Sequence, residues 1–200
     1  MRTTLLKALV LSAAMTLLPL YGASGQAGVN AFGITKGQKA SSLSVIKKID
    51  ALNYQISVPT PNPEFDMYIA RVSPRSGVCR VSGIGKTHED DRYGAATRAA
   101  FERLQGSLER KYGSFKNYDY LKAGSIWKDP QDFHMAILKK ERSLTTFWDD
   151  EEGSNLPDGL DSIMLQANAV TSGPYVTVAY EFSNIGDCVA ARQVQDDAGL

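Results

Sequence analysis

Two apolar stretches, Met67 to Val72 and Val78 to Ile84, flank Ser73-Pro74-Arg75-Ser76-Gly77. Proline presets one turn dihedral and glycine supplies a positive φ at little cost, so the segment reads as a β-hairpin. A hairpin commits its strands to antiparallel pairing. The pattern recurs in Ile163 to Ala169 and Tyr175 to Phe182, joined by Thr171-Ser172-Gly173-Pro174. Tyr54, Ile56 and Val58 alternate in a further strand. Pro59-Thr60-Pro61-Asn62-Pro63 ends it, because three prolines remove donors and fix φ. No strict β-α-β rhythm appears, which argues against a parallel sheet.

Helical spacing appears in three places. Ser41 or Ser42 caps a short helix carrying Leu43, Val45, Ile46 and Ile49. Asp90 or Asp91 opens a long helix to Tyr112, with a stripe of Ala96 or Ala100, Phe101, Leu104, Leu108 and Tyr112. Gly113 is its natural C′ residue. Asp129-Pro130 opens a second long helix to about Trp148, with Phe133, Ile137, Leu144, Phe147 and Trp148 on its buried face. Residues 28–40 read as a loop and short strand, Tyr118, Tyr120 and Trp127 as an aromatic loop, and residues after Val194 as frayed. The expected fold class is α+β: an antiparallel sheet built from hairpins, with two long helices and one short helix packed on it.

Residues 1–27 read as a cleaved secretory signal peptide. Arg2 and Lys7 precede the apolar run Ala8 to Leu18, Pro19 and Gly22 break it, and small residues follow as Ala23/Gly25 or Gly25/Ala27. Cleavage is expected before Gln26 or Gly28. The apolar run falls short of the roughly 20 residues of a membrane span. Residues 28–200 then form a single α+β domain, with 28–113 and 114–200 as sub-halves.

Export gives the two cysteines a meaning. Cys79 and Cys188 survive cleavage, and an even count in an oxidising compartment favours a disulfide between them over two buried thiols. The whole chain has 22 basic and 22 acidic residues; removing Arg2 and Lys7 leaves 20 against 22, a net of −2. That balance gives no reason to expect nucleic acid or an anionic membrane as partner.

The sequence contains fragments of catalytic and binding motifs, each incomplete. Gly83-Ile84-Gly85-Lys86-Thr87 resembles the end of a phosphate-binding loop, but Arg80 stands where the first glycine belongs. Ser44-Val45-Ile46-Lys47 matches Ser-x-x-Lys without its companion motifs. His88-Glu89-Asp90-Asp91 reads as a polar helix entry, and two histidines in the chain cannot build a three-histidine zinc site. Nothing marks Cys79 as a thiolate activated by His88 or His134. Asp149 to Glu152, with Asp158 and Asp161, miss the register of a calcium loop. Tyr118, Tyr120, Trp127, Phe147, Trp148, Tyr175, Tyr180 and Phe182 either build the core or line a binding surface.

Phe32-Gly33-Ile34 with Gly37, a short helix, a hairpin and a helix ending Lys111-Tyr112-Gly113 resemble small exported Gram-negative α+β proteins. The β-lactamase-inhibitor-protein-like modules, including those of outer-membrane assembly factors, are similar in build. The likeness is architectural, covers residues 30–113 and carries over no functional residue. The lipid-bearing cysteine of the assembly lipoproteins is missing here.

The sequence thus assigns Cys79 and Cys188 to a disulfide and no residue to catalysis, cofactor or metal. The function expected is a periplasmic or secreted non-enzymatic binding module, with another envelope or secreted protein as partner. The rival is a periplasmic hydrolase with a scattered active site acting on cell-envelope material.

Overall fold

The structure, a computed structural model, describes residues 29–197; the expected signal peptide lies outside them. Among the described residues there are ten strands: β1 (Asn30–Ala31), β2 (Ile34–Thr35), β3 (Ser44–Lys48), β4 (Asn53–Ser57), β5 (Phe65–Ser73), β6 (Gly77–Gly85), β7 (Lys116–Leu121), β8 (Arg142–Trp148), β9 (Leu160–Val170) and β10 (Gly173–Phe182). The α-helices are α1 (Ala95–Tyr112), α2 (Phe133–Leu138) and α3 (Ile185–Asp197). A 3-10 turn, Pro130–Asp132, runs straight into α2.

The fold is α+β, as expected. Strands β3 to β10 form one antiparallel sheet in the order β3-β4-β5-β6-β10-β9-β8-β7, beside a small β1–β2 hairpin. The first four strands follow one another in space, and the last four do so in reverse. The two runs meet where β6 pairs β10.

One face of the sheet carries Tyr68, Ala70, Val72, Val81, Ile163, Leu165, Val176, Val178 and Trp148, all buried. Helix α1 lays Ala100, Phe101, Leu104, Leu108 and Tyr112 on this face, the stripe its spacing predicts. Its start is later than expected. Gly94 precedes it at φ +73°, and a side chain there would collide with the Phe133 ring. The carboxylate of Asp91 still reaches forward to accept from Ala96 N–H and Thr97 N–H. Gly113 ends the helix at φ +77°.

Three segments take a different form from the one expected, each for a physical reason. Residues 44–48 form strand β3, because Ser44, Val45, Lys47 and Lys48 pair with β4 around an irregularity at Ile46, and the segment has no surface for a helical stripe; all five are exposed. The second long helix stops at Leu138, where Lys140 turns to φ +55°. Its expected continuation is strand β8, rich in the β-branched and aromatic residues that favour strands. Phe147 and Trp148 therefore point to opposite faces. The expected aromatic loop is likewise strand β7 in its first part.

Residues 195–197, expected to be frayed, belong to α3, which runs to Asp197; residues 198–200 lie outside the described residues. Helix α3 and α1 are the two long helices, and residues 130–138 the short one. Cys188 is the only buried residue of α3. It forms a disulfide with Cys79, 109 residues away, and both cysteines are fully buried. Cys79 occupies the irregularity where β6 slips against β5. Two exposed ion pairs, Arg75–Asp187 and Arg192–Asp50, add little. The bridge is the covalent tether of α3, beside the bonds that Asn184, just before the helix, donates to the Ser76 and Val78 carbonyls. No helix among the described residues is long and apolar enough to cross a membrane.

Closing so long a loop contributes roughly 4–5 kcal/mol in the chain-entropy model. Replacing both cysteines by alanine is expected to lower Tm by about 10 °C or more at this chain length. Hydrogen exchange should show residues 185–197 losing protection while β5, β6 and β10 keep theirs. Unchanged protection of 185–197 would mean that other contacts hold the helix.

Candidate functional site

The second face of the sheet is open. Strand alternation sends every other residue to it, and cross-strand pairing arranges these residues in rows. One row crosses all eight strands: Lys47, Gln55, Ile69, Ser82, Ala179, Met164, Phe147 and Lys116. Beside it runs Met67, Ile84, Thr177, Gln166, Thr145 and Tyr118. On the other side lie Asn53, Arg71, Arg80, Glu181 and Ser162. Most of these side chains in the centre are half-buried.

A depression of about 380 Å³ opens on this face, floored by Ile69, Ile84 and Met164 and rimmed by Arg71, Arg80 and Thr177. A second hollow of about 790 Å³ shares Gln166, Asn168 and Tyr175 with it and extends to Tyr120, Lys122 and Lys140. Tyr118 and Phe147 meet edge to face, 5.8 Å apart, farther along the same surface.

Charge is organised along the third row. Arg80 pairs with Glu181 at 3.1 Å. Burial pulls the Arg80 guanidinium below its usual pKa, Glu181 opposes that, and the charge of Arg71 reinforces it. Arg71 donates from Nε to Asn53 Oδ1 at 3.1 Å. Ser162 completes the row by donating to Glu181 at 3.4 Å.

The sequence-level candidates fall elsewhere. Gly83 and Gly85 serve packing: side chains there would strike Phe65 and the Val176 carbonyl. Lys86 and Thr87 lead into a connection with turns at residues 89–90 and 92–93, and α1 starts only at Ala95. Ser44 and Lys47 are exposed on a strand, without the helical turn that would stack one on the other. Both histidines attach to the β9–β10 hairpin. His88 N–H donates to Pro174 O, and the His134 ring nitrogen contacts Val170 O at 2.8 Å. Among the described residues no three His, Cys, Asp or Glu side chains converge to hold a metal.

The carboxylates are mostly structural partners. Asp119 binds Arg98 and Arg142, Glu64 binds Arg103, and Glu152 binds Lys116 at 2.9 Å. Asp149 accepts from Glu152 N–H within its turn. Asp50 is held below the usual carboxylate range, first by Asn53 Nδ2 and then by the Leu52 and Asn53 amides and Arg192, against some burial. Partial burial works against the charge of Asp91, but the Thr97 amide and hydroxyl with the Ala96 and Ala95 amides outweigh it and lower its pKa.

The aromatics divide between two jobs. Trp148 and Phe182 are fully buried, and Tyr180 packs on Phe32 and Tyr112. Tyr118, Tyr120, Phe147 and Tyr175 belong to the open face and its hollows. Sequence reading missed the polar residues between them: Asn53, Arg71, Arg80, Ser82, Gln166 and Thr177. The available signal was their period of two within apolar strands.

Comparison of the chain with protein-family models, with curated proteins and with solved structures finds no match. The architectural likeness noted from residues 30–113 thus has no counterpart among them, and its short helix is replaced by strand β3.

Asp91 gives a test of the geometry at residues 88–91. Asp91→Ala is expected to cost about 1–2 kcal/mol as a lost helix cap. The folded carboxyl pKa lies below the unfolded one, so the unfolded chain binds more protons between them. The stability gap between wild type and variant should therefore hold above about pH 4 and narrow as pH falls through the folded value. Urea titrations across that range measure it; a gap unchanged into acid would rule out an ionised cap.

Proposed function

We propose that this protein is an exported, non-enzymatic binding module that recognises another envelope or secreted protein through the open face of its sheet. One observation carries the reading: α1 and α2 bury one face of the sheet, while the other is left with half-buried polar, aliphatic and aromatic side chains and, among the described residues, no helix across its centre. Such mixed surfaces with aromatic and arginine anchors are what interfaces use.

Size supports it as well. Eight strands about 4.8 Å apart span roughly 34 Å, and three rows of side chains, each about 6.8 Å wide, span roughly 20 Å. The product, roughly 700 Å², approaches the roughly 800 Å² per partner of a stable interface. The Cys79–Cys188 bridge fits an oxidising compartment, where disulfides persist, and this agrees with the signal-peptide reading of residues 1–27.

Ser82 lies in the central row and makes no side-chain hydrogen bond among the described residues. Ser82→Arg should abolish recovery of the partner in periplasmic crosslinking with mass spectrometry. Glu102→Arg, exposed on α1 across the molecule, should leave it intact. Circular dichroism confirms that both variants fold. A partner recovered equally with both variants, or no reproducible partner, would sink the proposal.

A further inference from the structure

We infer that the depression beside Arg71 anchors an acidic side chain, an aspartate or glutamate of the partner protein; this rests on the binding-module reading above. Register sets Arg71 directly opposite Arg80 on the neighbouring strand. Like charges so placed destabilise a sheet. Arg80 has its own compensation in Glu181 at 3.1 Å. Arg71 has none: its Nε is taken by Asn53, and among the described residues no carboxylate pairs with it.

The two terminal nitrogens of Arg71 therefore remain for a ligand. A guanidinium end presents parallel N–H donors at the spacing of a carboxylate's two oxygens. Ile69, Ile84 and Met164 offer apolar surface beside it for the methylenes that carry such a carboxylate. Half-burial lowers the local dielectric and strengthens the attraction.

The rows of the face carry a basic surplus, and the nearby carboxylate of Asp50 is engaged by Asn53 and Arg192. The rows hold Lys47, Arg71, Arg80 and Lys116 against Glu181, although the chain is formally neutral. Lys116 is matched by Glu152 from the adjoining loop, so the surplus lies toward β3 to β6. An acidic protein surface would be steered to it. The basic positions are too few and too scattered to track a nucleic-acid backbone.

The test uses two blocked peptides, Ac-Ala-Leu-Glu-Leu-Ala-NH2 and its glutamine counterpart, titrated to about 10 mM into the purified protein, since a single anchor binds weakly. Saturable NMR shifts are expected at the Arg71 Nε–H and the Ser82 and Thr177 amides. The glutamate peptide should bind about fivefold or more tightly than the glutamine one. Arg71→Gln should erase that preference while Tm stays level or rises, because the opposition to Arg80 is relieved. A residue with only a structural role would lower Tm instead.

Equal affinity of the two peptides, shifts confined to other surfaces, or no shift at all would overturn the anchor. Partner capture separates this failure from that of the wider reading. Recovery lost in Ser82→Arg but retained in Arg71→Gln would leave the binding module standing without an acidic anchor. Recovery unaffected by Ser82→Arg would remove both.

Discussion

The pairing of β6 with β10 holds this fold together. Every other strand contact in the sheet joins segments that are near neighbours in sequence: β3 to β6 form one meander, and β7 to β10 another. The register of Arg80 to Ile84 against Glu181 to Thr177 closes a loop of about a hundred residues, so it carries the largest ordering cost of any strand pair. Small residues make it fit. Gly85 admits the Val176 carbonyl, and Gly83 leaves room for the Phe65 ring. Helix α1 then crosses from one meander to the other and packs against β9 and β10, which places its apolar stripe next to the seam. The Arg80–Glu181 pair spans the same seam on the open side.

From that seam the two faces diverge. Alternation along β5, β6, β9 and β10 puts Val, Leu, Ile and Phe under α1 and α2, and Arg, Ser, Gln, Asn and Thr on the reverse. The reverse side is not simply solvated, because its isoleucines, Met164 and aromatics are too many for that. Helix α3 is stapled through Cys188 to Cys79 at the end of β6 that leads from the β5–β6 turn, and leaves the centre of the sheet uncovered. A covalent link does there what apolar burial does for α1.

The hairpins, α1 and the disulfide were legible because their signals are local and mutually consistent: turn chemistry at Ser73 to Gly77, a stripe from Ala100 to Tyr112, an even cysteine count. Residues 44–48 and 142–148 were misread because short apolar spacings of three and four suit either period. Edge strand β3 has only one neighbour, so no second signal corrects the reading. For β8 the clue was composition, Thr145, Thr146, Phe147 and Trp148, against a strong cap at Asp129-Pro130 that fixes where a helix starts and not where it stops. The open face was harder still. Its residues come from eight strands, and no single segment hints that Arg71 and Arg80 will stand side by side.

The sheet's edges bear on how such a face is used. An exposed edge strand is a template for pairing with another chain, and proteins blunt it with charge and bulges. Strand β3 has both: an irregularity between Val45 and Lys47, then Lys47-Lys48. Strand β7 alternates Lys116 and Asn117 with Tyr118, Asp119 and Tyr120, and Asp119 is tied to Arg98 and Arg142. Strand addition is thus opposed at both ends of the sheet. The face between them carries the apolar floor and the uncompensated Arg71, so recognition by side chains over the strands is favoured above recognition by backbone along them.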